Sequence, residues 1–509
     1  MKAIIASTFI LYFLVTFAIQ LLEVPTVRLF EIAICDRYYR TTNDGALAGL
    51  LLKDIDESSC KITAVQNELA EIAGWKISFD AVPGLLTALW YGSVADRYGQ
   101  RLVLLLSLTG SLMGLTWIVF ICKYNIIFTP RLIWISSIFL FIGGGVRVFN
   151  SVIFSIISDS LGHSQRTKFL YLLAAGPHIN RLITPRISTF LMGYSIYVPF
   201  WVAITIDGIC LLMLLSWSYQ SKKKSASIDR EEDLGSTDAE SVSDDSSNVN
   251  TPLLGSSPSP SSPSSPVDNH NNASNNNKEE DQKLSTILNT AISLLKHPAS
   301  RFCFTTYILK RIAFASEGFM FQYASEKFLW PLHQTTWLRV GQASGAILAT
   351  LVLCPLIMSV FSKTGTSASD GGARKKACGR FPAHAIDLTI IRSALTILTL
   401  SFFAAWKAPS AVFLVIAMAG CGLGEGLEPA LQGLITYLVD SDKTVRLFTT
   451  LAVCDTIAEF VGGPVTARLM EIGRRPGHAS DGYCFLGSSI LFAGLLGYSM
   501  VIRARRSQS

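Results

Sequence analysis

Seven charged side chains stand inside stretches of this sequence that are otherwise apolar, and they are the residues best placed to do chemistry. They are Arg147, Arg181, Glu317, Glu425, Glu428, Asp455 and Glu459. An ionised group in hydrocarbon costs at least a few kcal/mol, so each must face a counter-charge or a water-filled cavity. Spacing groups them further. Glu425, Glu428 and Gln432 follow at i, i+3 and i+7 and share one helical face; Asp455 and Glu459 are one turn apart, as are His178 and Arg181. Lys310, Arg311 and Glu317 fall on adjacent parts of one stretch. Two readings stay open. In one, Arg147 pairs with Glu428, and Asp455 or Glu459 with a facing Arg, as fixed bridges. In the other, a carboxylate, Glu425 or Glu428, takes up and releases a proton on a path lined by the rest.

The elements that must position these groups are membrane helices. Of 509 residues half are apolar and only 16% are charged, and about 20 apolar residues suffice to cross a bilayer. Twelve such runs are legible, at 5–27, 71–91, 102–122, 132–157, 168–192, 196–217, 302–325, 336–361, 387–406, 410–438, 446–470 and 482–502. Basic residues collect in alternate connections: Arg97 and Arg101, Arg166 and Lys168, Lys222–Lys224, Arg374–Lys376 with Arg380, and Arg503, Arg505 and Arg506. That side is the cytosol, which puts both termini there. The net charge of +6 then reflects topology, not nucleic-acid binding. Lys2 before an apolar stretch imitates a signal peptide, but no small-residue cleavage site follows, so the first run is expected to be retained.

The composition changes at 220–283, where SSPSPSSPSSP (Ser256–Pro266) and NHNNASNNN (Asn269–Asn277) cannot bury enough apolar surface to fold. This predicts a disordered cytoplasmic linker between an N-terminal bundle, 1–219, and a C-terminal one, 284–509. The second opens on an amphipathic helix, with Leu284, Ile287, Leu288, Ile292 and Leu295 at helical spacing. Asn272-Ala273-Ser274 is a glycosylation acceptor that stays bare if the linker is cytosolic. The halves also repeat. Gly143–Asp159 can be laid without gaps on Gly424–Asp440, which pairs the fourth run with the tenth and sets Arg147 opposite Glu428.

Between the second and third runs lies GSVADRYGQR, Gly92–Arg101. It resembles the GxLaDRxGrr signature of the major facilitator superfamily, found in the cytoplasmic loop between the second and third membrane helices. The resemblance implies an all-α integral membrane fold of 12 transmembrane helices in two pseudo-symmetric six-helix bundles. Gly92, Asp96, Arg97, Gly99 and Arg101 would then form a gating motif: Gly92 allowing close helix approach, Gly99 a tight turn, and Asp96 accepting from backbone N–H groups. EVPTVRLFEIAICDRYY (Glu23–Tyr39) and CKITAVQNELA (Cys60–Ala70) resemble a fungal branch of the superfamily, distantly similar to proton-coupled folate and haem-associated carriers. Gln100 departs from the signature, which has Arg or Lys there. The second half keeps no copy of the Asp-Arg pair, so an asymmetric gate is expected. AAGPHINRLITPRIS in the fifth run has one Gly-Pro and lacks the extended glycine pattern of proton antiporters, which weighs against antiport and so against drug efflux.

Cys35 and Cys60 both fall in the connection between the first and second runs, which faces away from the cytosol. An oxidising compartment could join them, or both stay thiols. The ten cysteines include no C-x-x-C pair, and no nucleophile–base pair, Walker loop or metal-binding pattern is visible, so neither an enzyme nor an ATP-driven pump is expected, and no cofactor or metal. The function that these readings favour is secondary active transport by alternating access. It would move a small organic solute, with protons as coupling ion and export of a secondary metabolite among its uses, in a monomer spanning the lipid bilayer of the plasma membrane. The alternative is a transport-inactive sensor or scaffold on the same fold, acting through its linker.

Overall fold

The structure, a computed structural model, describes residues 2–41, 57–160, 163–216, 298–353, 383–438, 444–475 and 482–501. Among these residues all regular structure is helical, and it forms twelve successive passes. In the first half, span one is Lys2–Leu21 continued by Glu23–Thr41, span two Thr63–Tyr98, and span three Gln100–Lys123. Span four runs in pieces from Pro130–Ile135 through Ser136–Phe139 to Gly145–Ser160, followed by span five, His163–Met192, and span six, Val198–Ser216. In the second half, span seven is Pro298–Phe314, Ala315–Phe319 and Met320–Lys327, and span eight Thr336–Ile347 with Leu348–Leu353. Span nine is Ala383–Lys407, span ten Ala411–Leu423, Gly424–Gly426 and Leu427–Leu438, span eleven Thr444–Gly473, and span twelve Tyr483–Val501. The linker at 220–283, the amphipathic helix at 284–295 and Asn272 lie outside the described residues.

Length and hydropathy alone qualify spans three, six, nine and twelve to cross a bilayer, together with most of spans one and ten. The remaining spans and the charged parts of spans one and ten have faces dictated by packing and pairing rather than by lipid. Each half has its own apolar core. In the first it gathers around Leu29, Phe30, Val119 and Phe200 and, further along, around Leu104, Phe149 and Ile153. In the second it is an aromatic-rich cluster that includes Phe314, Phe402, Phe485 and Phe492. Val24 and Ala70 from the first half are buried in that second cluster.

Two spans are longer than their apolar runs. Span one continues to Thr41 because its polar extension supplies its own partners: Arg28 pairs with Glu31 at 2.6 Å, Arg40 with Asp36 at 3.0 Å, and Asn125 Nδ2 donates to Asp36 at 2.9 Å. Cys35 is therefore helical and not in a loop. Span two runs through Gly92 to Tyr98. The motif expected in a loop is thus the last two turns of one helix, a single turning residue, and the first turn of the next. Gly99 makes that turn with φ 95°, a value that side chains with a Cβ rarely tolerate. Gly92 faces open space, so the expected close helix approach there is absent.

Spans four and ten break at matching places. Gly143, Gly144 and Gly145 all take positive φ, of 88°, 74° and 64°, directly before Arg147. Gly424–Gly426 tightens into a 3-10 turn directly before Glu428. Freed backbone groups in a membrane need replacement partners, and the fourth span finds them: Gly143 N donates to Tyr91 Oη at 2.6 Å, Tyr91 Oη to Phe141 O at 2.8 Å, and Ser107 Oγ to Gly145 O at 2.9 Å. Span seven breaks likewise at Ala315–Phe319, around Glu317. Discontinuous helices thus surround the middle of the bundle.

Candidate functional site

The broken spans and their neighbours bring the intramembrane charges into three connected groups between the halves. In the first, Arg147 of span four reaches across to span eleven. Its Nη1 lies 3.6 Å from Asp455 Oδ2 and 3.1 Å from Thr456 Oγ1, and its Nη2 pairs with Glu459. Arg311 of span seven shares both carboxylates, at 3.6 Å and 2.8 Å. The Arg147 stem lies on Gly84 of span two, where an added Cβ would come 2.8 Å from its Cδ.

In the second group Glu428 of span ten is held by span seven, with Lys310 Nζ at 2.8 Å and Tyr307 Oη at 3.3 Å. The expected Arg147–Glu428 bridge does not form. Their alignment reflects the repeat: equivalent positions are related by the pseudo-two-fold axis, and each looks instead at a different span of the second half.

The third group extends from the middle toward the Cys35 end. Glu425 has Arg181 Nη1, His178 Nδ1 and Gln342 Nε2 each at 3.5 Å. Gln342 Nε2 also donates to Glu317 at 2.6 Å, and its Oε1 accepts from Arg339 Nη1 at 2.6 Å. Arg339 Nε donates in turn to Glu23 of span one at 2.7 Å. Glu23, Arg339 and Gln342 were not among the sequence candidates; Arg339 and Gln342 sit three apart in the run read as apolar at 336–361, and that polar pair was the available signal. Lys310, Arg311 and Glu317, close in sequence, serve all three groups because the helix breaks between them.

Across the three groups the carboxylates of Glu23, Glu317, Glu425, Glu428, Asp455 and Glu459 outnumber by one the permanent cations Arg147, Arg181, Lys310, Arg311 and Arg339. His178 is the remaining titratable partner. Glu317 Oε1, His178 Nδ1 and Arg181 Nε are buried with hydrogen-bonding capacity unused among the described residues.

The described bonds that cross between the halves all lie from this middle layer toward the Cys35 end. Gln322 Nε2 donates to Gln66 O and Oε1 at 2.7 and 3.0 Å, and Glu57 accepts from Ser325 Oγ at 3.1 Å and Leu332 N at 2.8 Å. Arg474 forks onto Glu326 and donates to Asn67 at 3.0 Å. Thr189 Oγ1 donates to His333 O at 2.8 Å, and the Arg186 guanidinium stacks 3.5 Å above the Trp337 ring. Spans two and eleven touch backbone to backbone: a Cβ on Gly463 would lie 2.3 Å from Gly74 O. Behind this seal Cys35 and Cys60 are joined by a disulfide, and fully buried Glu31 gathers Arg28, Lys61 and Gln66 at 2.6, 2.6 and 2.7 Å.

Side-chain exposure is 13% at Glu317 and 11% at Arg339, against 33% at Arg147, 37% at Arg311 and 49% at Glu428, while Lys310 beside Glu428 is covered at 6%. Among the described residues no bond joins the halves between this layer and Gly92–Arg101. There Asp96 and Arg97 are exposed and form no ion pair among the described residues. Arg101 Nη2 donates to Leu215 O of span six and Gln100 Nε2 to Ser155 Oγ of span four, at 3.0 Å for the latter. Gln100 thus ties span three to span four without a charge.

A profile described as Major Facilitator Superfamily matches residues 61–463. A protein of Stachybotrys chartarum named MFS transporter SAT21 is 33% identical over 491 residues, covering 96% of this chain and 94% of that one. The MFS efflux pump atnC of Emericella nidulans is 24% identical, covering 95% and 85%. Among solved structures the nucleoside transporter NupG superposes with a TM-score of 0.53 at 13% identity over 94% of this chain and 98% of that one. The human organic anion transporter MFSD10 does so with a TM-score of 0.52 at 14% identity, over 98% and 99%.

Proposed function

This chain belongs to the major facilitator superfamily, a family of membrane transporters and not of enzymes, and from that premise we propose that it is a proton-coupled exporter of a small organic metabolite. The two six-helix halves, 1–219 and 284–509, rock about the charged layer, and the 220–283 linker tethers them on the cytosolic side. The observation that carries the reading is where the halves touch. They are bonded together at the Cys35 end, while among the described residues no bond joins them on the Gly92–Arg101 side of the charged layer, where Glu428 is half-exposed. With that exposed end in the cytosol, as the basic residues place it, the site stands open to cytosolic cargo.

Mixed charge suits a polar or amphipathic solute: Arg147, Arg311 and Glu428 are reachable from the opening, and Glu317, His178 and Arg181 keep unused hydrogen-bonding atoms. Glu425 carries the proton. Glu428 is fixed by Lys310 at 2.8 Å, whereas Arg181, the cation paired with Glu425, stands at 3.5 Å, so Glu425 exchanges its partner more easily than Glu428. Asp455 and Glu459 hold the halves together through Arg147, with Arg311 of their own half as a second cation. Asp96, Arg97, Gly99 and Arg101 act as the cytosolic hinge, with Gly92 on the exposed face of its last turns. Relatives bearing the name efflux pump favour export, despite the sparse glycine in span five. The protein works as a monomer in the plasma membrane with both termini in the cytosol.

The test compares metabolites inside and outside cells with and without the protein, and in vesicles with an imposed pH gradient. Retention of a metabolite inside on deletion, with vesicle transport driven by the gradient, is expected. Unchanged distribution, or transport indifferent to the gradient, overturns export or coupling respectively.

A further inference from the structure

Glu425 and the Glu23–Arg339 bridge are two separate ties between the halves, and one side chain touches both. Gln342 Nε2 carries two hydrogens, one for each of two carboxylates: Glu317 at 2.6 Å and Glu425 at 3.5 Å. Its Oε1 takes the Arg339 Nη1 hydrogen at 2.6 Å, and Arg339 Nε holds Glu23 at 2.7 Å. The amide is buried, with 1% of the residue exposed, so no water replaces a partner that it loses. Its backbone is pinned as well. A Cβ on Gly422 of span ten would fall 1.9 Å from Gln342 O, and one on Gly345 would fall 2.0 Å from Ala419 O. The two helices therefore move as one body, and the amide is the part left to turn.

We propose that Gln342 is a positioning residue that transmits the protonation state of Glu425 to the Glu23–Arg339 bridge closing the Cys35 end. When Glu425 is charged it holds Arg181 across the seam and keeps one Gln342 hydrogen. A proton on Glu425 removes its hold on Arg181 and weakens its pull on the amide, which turns toward Glu317. That turn draws Oε1 off Arg339, and the guanidinium follows Glu317 instead of Glu23. Both ties then open together. A glutamine suits the task because it does not titrate: it converts a charge change at one carboxylate into a change of geometry at the other. The proposal rests on the reading of Glu425 as the proton carrier. The charged and titratable groups that also face Glu425 are Arg181 and His178 from span five, Arg339 from span eight, Glu317 and Lys310 from span seven, Glu428 from its own span, and Cys421.

The experiment uses full-length purified protein with Val24→Cys, a position 4% exposed in the closed seal beside Glu23. Its labelling rate with a hydrophilic maleimide is followed from alkaline to mildly acidic buffer and normalised to Tyr194→Cys, which is 72% exposed. Acid is expected to raise the normalised rate by roughly fivefold or more, the scale of a typical coupling between sites. Glu425→Gln should label fast at every pH. Gln342→Leu should give a flat profile; Gln342→Met, which keeps the volume but lacks the donors, should do the same if the leucine variant folds poorly. A purely packing role would change the rate but leave its pH dependence. A pH-dependent profile retained in both Gln342 variants overturns the relay alone. A flat profile in the parent, or one still pH-dependent in Glu425→Gln, overturns the Glu425 reading on which it stands.

Discussion

Arg147 on span four pairs with Glu459 on span eleven across the seam between the halves, and Arg311 of span seven binds the same carboxylate at 2.8 Å. One side of the carrier thus supplies a single cation to a site whose other three charges belong to the opposite half. Removing Arg147 leaves Asp455 and Glu459 sharing Arg311 alone. Stripping one partner from a buried pair costs about 3–5 kcal/mol, but Arg147 is a third exposed, which reduces this to about 1–2 kcal/mol. Arg147→Ala should therefore slow transport about tenfold or more, measured as initial rates in vesicles, and Arg147→Lys less. Combining it with Arg311→Ala should cost more than the product of the two singles, because each single leaves the acids one cation and the double leaves none. Strict additivity would show that the two do not share a site.

The two acids of span ten should separate in the same assay. Glu425 meets Arg181 and His178 only at 3.5 Å, while Glu428 is anchored by Lys310 at 2.8 Å. Glu425→Gln is expected to abolish the response to a pH gradient while leaving exchange of labelled for unlabelled cargo largely intact. Glu428→Gln should slow both processes and keep the pH response. The reverse pattern would move the proton to Glu428.

Which charged residues stand inside the helices could be read from the chain; which of them meet could not. Arg147, Glu425, Glu428, Asp455 and Glu459 stand out because hydrocarbon neighbours make any ionised residue conspicuous. The internal repeat, however, relates Arg147 to Glu428 by symmetry, and symmetry mates on an axis of rocking need not touch. The contact is set by spans seven and eleven, hundreds of residues away. Glu23, Arg339 and Gln342 escaped notice for a different reason: each lies near the end of an apolar run, where a polar residue reads as a boundary. Hydropathy likewise stopped span one short of Thr41 and span two short of Tyr98, since helices held by their own ion pairs, such as Arg28–Glu31 and Arg40–Asp36, do not need to be apolar.

The disulfide between Cys35 and Cys60 closes a loop with a sequence separation of 25. By the loop-entropy relation such a link stabilises by about 3 kcal/mol. Cys35→Ser with Cys60→Ser should lower the thermal midpoint of the purified protein, and a reductant should do the same to the parent but not to the variant. Alkylation before and after reduction should differ by two thiols. Cys60 ends the short helix that presents Glu57 to Ser325 and Leu332, so the reduced protein should label faster at Val24→Cys. An unchanged midpoint and labelling rate on reduction would mean that Glu31 and its three donors hold the Glu57–Cys60 helix in place unaided.

Gly74 and Gly463 set a close backbone contact between the halves at the closed end. A Cβ on Gly463 would lie 2.3 Å from Gly74 O, and one on Gly74 would lie 2.8 Å from Gly463 O and from Ala467 Cβ. These are rigid backbone atoms of two long helices, so relief requires the helices to part. Overpacking costs about 1–3 kcal/mol, comparable to the few kcal/mol that separate two states of one protein. Gly463→Ala should therefore penalise the closed end specifically and shift the population toward opening there. The expected reading is a labelling rate at Val24→Cys raised several-fold at alkaline pH, with folding and monodispersity retained. Gly92→Ala is the matched control, because a Cβ there meets nothing within 4 Å, and it should leave the rate unchanged. Equal effects of the two substitutions would show that the glycine contact between spans two and eleven does not hold the seal.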